Sequence, residues 1–105
     1  MITLKDRARA LENKFAYEQD VVFRAAARRN KLVGLWAAQL MERTDPIAYA
    51  EELAAWAVNN PSSEELVTQL RRDFDAARVA FPEDGLADRL NAMLVEVLAD
   101  MKAAA

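Results

Sequence analysis

The sequence predicts an all-α protein: a four-helix bundle with a long first helix whose amino-terminal arm overhangs the bundle. Three observations carry this. Only two glycines and three prolines stand among 105 residues, too little turn chemistry for a many-stranded sheet. The prevailing residues, Ala, Leu, Glu, Arg and Lys, are those with high helix propensity. Three short polar breaks then divide the chain into four segments, each with apolar residues at helical spacing.

The first segment has no break between about Leu4 and Arg43. At about 1.5 Å per residue it would reach roughly 60 Å, against roughly 20 to 30 Å for each of the others, so a bundle cannot cover all of it. Its halves differ in pattern. Leu4, Ala8, Leu11 and Phe15 form a narrow i, i+4, i+7, i+11 stripe among charges, whereas Leu32, Val33, Leu35, Trp36, Leu40 and Met41 are apolar on several sides and belong in the core. The expected division is an amphipathic, mobile arm over residues 1–20 and a bundle over 21–105, with helices near 21–43, 45–59, 62–79 and 83–103.

The breaks supply the caps. In "RTDPIA", Asp45 is a side-chain cap with Pro46 at the first helical position; in "NNPSSEE", Ser62 is followed three residues later by Glu65, a capping box; "FPEDG" is the third break. The predicted buried stripes are Ile47, Ala50, Leu53 and Ala57, then Leu66, Leu70, Phe74 and Ala77, then Leu86, Leu90, Met93, Val97 and Met101. Gly34 lies inside the first helix, where it costs roughly 1 kcal/mol against Ala. Close approach of another helix or of an indole ring is the expected compensation.

Charge is unevenly placed. Nine Lys/Arg face five Asp/Glu from Met1 to Arg43, and five face twelve from Thr44 to Ala105. The basic half is thus a contact surface for an acidic partner. Within it Arg24, Arg28 and Lys31 share a helical face, with Arg29 about 100° round. This reads as a solvated cationic stripe meeting acidic residues of neighbouring helices. Nucleic-acid binding is not expected, because the patch is short, no aromatics are interleaved with it and the chain is acidic overall, with net charge −3.

Catalysis is nearly excluded. Without His or Cys no Ser-His, Cys-His or common zinc arrangement can be built, and two isolated glycines make no phosphate-cradling loop. No cofactor or metal is expected. The lack of Cys removes any need for an oxidising compartment. No apolar run approaches a membrane span, and "MITLKDRARA" carries charges where a signal peptide would be apolar. A cytoplasmic protein without membrane insertion is expected.

The arm has two readings on pattern alone. A short isolated helix is marginal in water, so it could fray or fold back. It could also become helical on entering a groove of another protein, with Leu4, Leu11 and Phe15 as anchors. From a different class comes a helical module that binds a small ligand such as a nucleotide, with Arg28, Arg29, Trp36 or Trp56 as contacts. An adaptor for some other cytoplasmic protein is the third.

The residues also carry a resemblance. "DRARALENKFA" from Asp6 to Ala16, followed by "FRAAARRNKLVGLWAA" from Phe23 to Ala38, resembles the zeta subunit, an inhibitor protein of the F-type ATP synthase in alphaproteobacteria. Asp6-Arg7, Lys14-Phe15-Ala16 and Arg28-Arg29-Asn30 stand in register with Gly34, Trp36 and Ala37-Ala38. The likeness is dense over Leu4 to Met41 and thinner afterwards, where "IAYAEEL", Pro61 and the spacing of the last helix still align. It implies a four-helix protein whose mobile arm becomes helical at a catalytic interface of the synthase head, near the rotor, and blocks ATP hydrolysis there. The arm residues so implied are Leu4, Asp6, Arg7, Leu11, Lys14 and Phe15. The chain departs from the family pattern at Leu4, where an aromatic is usual, and at Lys5 and Ala8, where acidic residues are usual.

Overall fold

The computed structural model describes residues 3–82 and 84–104, leaving the side chain of Phe15 outside the described part. Four helices follow one another: α1 (Leu4–Leu40), α2 (Pro46–Asn59), α3 (Ser63–Ala76) and α4 (Gly85–Ala104), with no strand among the described residues. The molecule measures 64 × 25 × 22 Å, and α1 sets the long dimension.

Each start has its own chemistry. The Asp45 carboxylate accepts the Ala48 N–H at 3.0 Å, with Pro46 in the first turn. The Ser62 hydroxyl accepts from the N–H groups of Glu64 and Glu65, at 3.1 and 3.3 Å. Both satisfy amides that have no carbonyl partner inside the helix. The long helix carries a cap that the sequence reading overlooked. Thr3 and Asp6 form a reciprocal capping box, the Asp6 N–H donating to the Thr3 hydroxyl at 3.1 Å and the Thr3 N–H donating to the Asp6 carboxylate at 3.3 Å.

Two helices end earlier than expected, α1 at Leu40 rather than Arg43 and α3 at Ala76 rather than near residue 79. In each, the chain turns into the left-handed region just after the cap, at Glu42 (φ 54°) and Arg78 (φ 58°). The Arg43 N–H then reaches back to the Ala38 carbonyl at 2.9 Å, and the Val79 N–H to that of Phe74 at 2.8 Å. These bonds close the helices as Schellman turns do, without a glycine to advertise them.

The core lies where α1 packs against α2 and α4, and α4 against α3. Val33, Ala37 and Ala38 of α1 meet Tyr49 and Leu53 of α2, Leu66, Leu70 and Phe74 of α3, and Leu86 and Leu90 of α4. Trp36 is half-buried at its edge. Phe81 meets its ring edge-on at 5.3 Å and Phe74 at 5.9 Å, while the Arg89 guanidinium stands 5.4 Å from the ring centre. Trp56 also packs against this core.

Four expected core positions are corrected. Ile47 is 63% exposed; the buried face of α2 runs through Tyr49, Ala50, Leu53 and Ala57, and at 100° per residue Ile47 lies well off its centre. Tyr49 takes the place because its hydroxyl finds a partner, donating to the Asp73 carboxylate of α3 at 2.6 Å. Ala77 is the exposed cap of α3 rather than the end of its stripe. Leu32 and Leu40 are 42% and 39% exposed: Leu32 stands about 100° from Val33 on the side away from Gly34, Ala37 and Ala38, and Leu40 is the last residue of α1, where the helix leaves the core.

Candidate partner-binding site

From residue 3 to residue 20, every described side chain is exposed; the first buried residue of α1 is Ala25. The arm is therefore one end of a continuous helix, about 25 Å long, none of whose described side chains is covered by the bundle. Leu4 is 84% and Leu11 68% exposed. Phe15 belongs to α1, and its side chain, expected as an anchor, lies outside the described residues.

The register of the helix gives this stripe a meaning. At 100° per residue Leu4, Ala8, Leu11, Phe15 and Val22 fall within a narrow sector, and Ala25, Arg29 and Val33 continue the same sector into the bundle. The apolar stripe of the arm is thus in line with part of the face that α1 buries among its own helices, which Gly34, Ala37 and Ala38 widen. Tyr17, Val22 and Phe23, at 63%, 54% and 69% exposure, add apolar area that the sequence reading did not single out. Their signal was present as large apolar residues between the stripe and the core segment.

The charged arm residues divide by role. Asp6 is part of the capping box, so it starts the helix as well as facing solvent. Arg7 and Lys14 are exposed. At the base of the arm Asp20 and Arg24 pair at 3.1 Å, with both side chains more than half exposed. A pair so placed contributes a few tenths of a kcal/mol.

The cationic cluster is only partly the solvated stripe expected. Arg24, Arg28 and Lys31 are exposed, whereas Arg29 is 4% exposed. Its long stem fills part of the seam, and its Nε donates to the Asn30 side-chain Oδ1 at 3.1 Å. Burial holds the Arg29 pKa below its ordinary value, since the charged form loses hydration there.

The four residues considered for a small ligand are not brought together. Arg28 lines a groove between α1 and α2, Arg29 lies in the seam, and Trp36 packs against Phe74 and Phe81. Trp56 borders shallow polar depressions beside Gln69 of α3. None of the described cavities joins Arg28 or Arg29 with an indole. Among the described residues no group of three or more acidic side chains stands close enough to hold a metal ion, and no helix is long and apolar enough to cross a membrane.

The arrangement is that of a binding protein. The bundle presents a capped, amphipathic helix end whose described side chains are all exposed. No curated protein matches the sequence. The family model described as ATPase inhibitor subunit zeta matches residues 1–100, and the chain belongs to that family, a regulatory inhibitor rather than an enzyme.

Proposed function

We propose that the chain inhibits ATP hydrolysis by the F-type ATP synthase by inserting its amino-terminal arm, residues 1–20, into a catalytic interface of the synthase head near the rotor. The observation that carries this reading is the register of α1, which holds out to solvent along the arm an apolar stripe in line with part of the face that it buries within the bundle. Leu4, Leu11 and Phe15 are the apolar anchors, and Asp6, Arg7 and Lys14 supply charge around them. Full burial of a leucine side chain stabilises by roughly 1.5 to 3 kcal/mol, so a few such anchors suffice for tight binding once the ordering cost is offset. The Thr3–Asp6 capping box lowers that cost, because it favours the helical form at the free end. A helix wedged between subunits near the rotor opposes rotation in the hydrolytic direction.

The test is an ATP hydrolysis assay on the cognate synthase with the full chain and with a protein beginning at Asp20. That truncation removes none of the described buried residues, so circular dichroism should show a folded bundle. Loss of inhibition by the truncated protein is the expected result. Equal inhibition by both would transfer the activity to the bundle and overturn the reading.

A further inference from the structure

At the base of the arm a groove of about 660 Å³ opens between α1 and the second half of α2. Ala26, Ala27, Ala54 and Ala55 line it, so small side chains leave the space. Phe23 and Val58 flank it and are 69% and 72% exposed, a large apolar area with no cover. Arg28 and Lys31 give its α1 side two cations, against the single carboxylate of Glu51 on α2. Arg24, one turn before Arg28, shares its charge with Asp20. The groove is therefore apolar within and net positive at its rim.

It is also continuous with the arm. Phe23 borders both this groove and a neighbouring depression lined by Ala16, Gln19 and Val22. A body that grips the arm down to its base at Asp20 meets Phe23 one turn later.

We infer that the groove is a second docking surface for the synthase head, taking an acidic helical segment whose apolar side chains fill the alanine-lined slot and whose carboxylates meet Arg28 and Lys31. This rests on the reading that the arm enters the head, which places the head beside the groove. Two contacts on one rigid helix make the second binding event intramolecular, so the groove raises affinity without taking part in the block itself. Its cations also speed encounter with an acidic surface, an effect that salt weakens.

The test uses full-length variants on the cognate synthase: Val58→Glu, Phe23→Ala, the double variant Arg28→Glu/Lys31→Glu, and Leu11→Ala in the arm. The groove positions are exposed, so thermal unfolding should match the wild type. Each groove variant is expected to raise the half-inhibiting concentration about tenfold or more while inhibition at saturation stays complete, and the charge reversal should flatten the salt dependence. Unchanged potency in all three groove variants overturns the inference. If Leu11→Ala alone weakens inhibition, the groove reading fails and the arm reading stands. If the groove variants weaken binding and Leu11→Ala does not, the arm reading fails while the groove keeps its partner. A dimer in sedimentation that Val58→Glu dissolves, with inhibition unchanged, assigns the groove to a second copy and also overturns the inference.

Discussion

Gly34 of α1 and Ala50 of α2 lie in direct backbone contact: a β-carbon on the glycine would stand 2.6 Å from the Ala50 Cα and 3.0 Å from its Cβ. The obstacle is main chain, so no rotamer change can relieve it. A glycine facing an alanine at a crossing lets helix axes approach closely, and the gain in packing offsets the helix propensity that glycine gives up. Gly34→Ala is expected to lower stability by about 1 to 2 kcal/mol, and Gly34→Leu by about 1 to 3 kcal/mol, although both residues favour helix. Urea unfolding monitored by circular dichroism measures this. A more stable Gly34→Ala variant would show that α1 and α2 separate freely at this crossing.

The Tyr49–Asp73 bond joins α2 to α3, and the second Asp73 oxygen accepts from the Gln69 side chain at 3.1 Å. The Arg43 guanidinium lies over the Tyr49 ring, 4.7 Å from its centre. Removing the hydroxyl leaves the carboxylate short of one donor in a half-buried place. Tyr49→Phe should cost about 1 to 2 kcal/mol. Burial raises the Tyr49 pKa above its ordinary 10.0, and the Asp73 bond and charge add to the shift. The sign follows: the folded state retains a proton that the unfolded chain gives up, so this contribution is intact below pH 10 and falls as pH rises beyond it. Unfolding curves at pH 8 and pH 10.5 should therefore differ more for the wild type than for Tyr49→Phe, since lysine titration is common to both.

Glu42 and Arg78 occupy left-handed backbone at the ends of α1 and α3. A side chain in that region costs roughly 1 to 2 kcal/mol relative to glycine, while glycine gives back about 0.4 to 1 kcal/mol through the freedom of the unfolded chain. Glu42→Gly should then stabilise by about 0.5 kcal/mol, with Arg78→Gly similar. Urea unfolding of each variant against the wild type measures this.

These sites show which features of the fold could be read from residues alone. Gly34 announced a close helix contact because nothing else compensates glycine in a helix, although whether helix or indole supplied it required the packing. The Thr3–Asp6 box was open to reading, since Thr followed three residues later by an acid is a helix-start pattern. Ile47 misled because an apolar period of three fits several helix faces, and the choice fell to the bond that Tyr49 makes with Asp73, 24 residues beyond Tyr49. Arg29 misled because charge is ordinarily solvated, whereas a long stem and the Asn30 amide make its burial tolerable. The α1–α2 groove depends on which small side chains of two helices come to face each other, which no local pattern encodes. The arm was legible for the opposite reason: its narrow stripe and its length are both properties of one uninterrupted segment.

Separating the arm from the bundle energetically is the remaining step, and Leu4 and Leu11 allow it. Both are largely exposed, so Leu4→Ala and Leu11→Ala should each change folding stability by less than about 0.5 kcal/mol. At a partner's groove the same truncation removes buried apolar area, and a central anchor there costs about 2 kcal/mol or more, roughly a thirtyfold loss of affinity. Urea unfolding and titration of synthase hydrolysis on the same preparations give both quantities. Amide exchange adds a third, with residues before Asp20 expected to exchange faster in the free protein than those from Phe23 to Met41, because their described side chains are all exposed. Equal, strong protection in both halves of α1 would mean that the free arm is docked. In that case Leu4→Ala and Leu11→Ala would reach the folding equilibrium as well, and their effect on inhibition could no longer be read as partner contact alone.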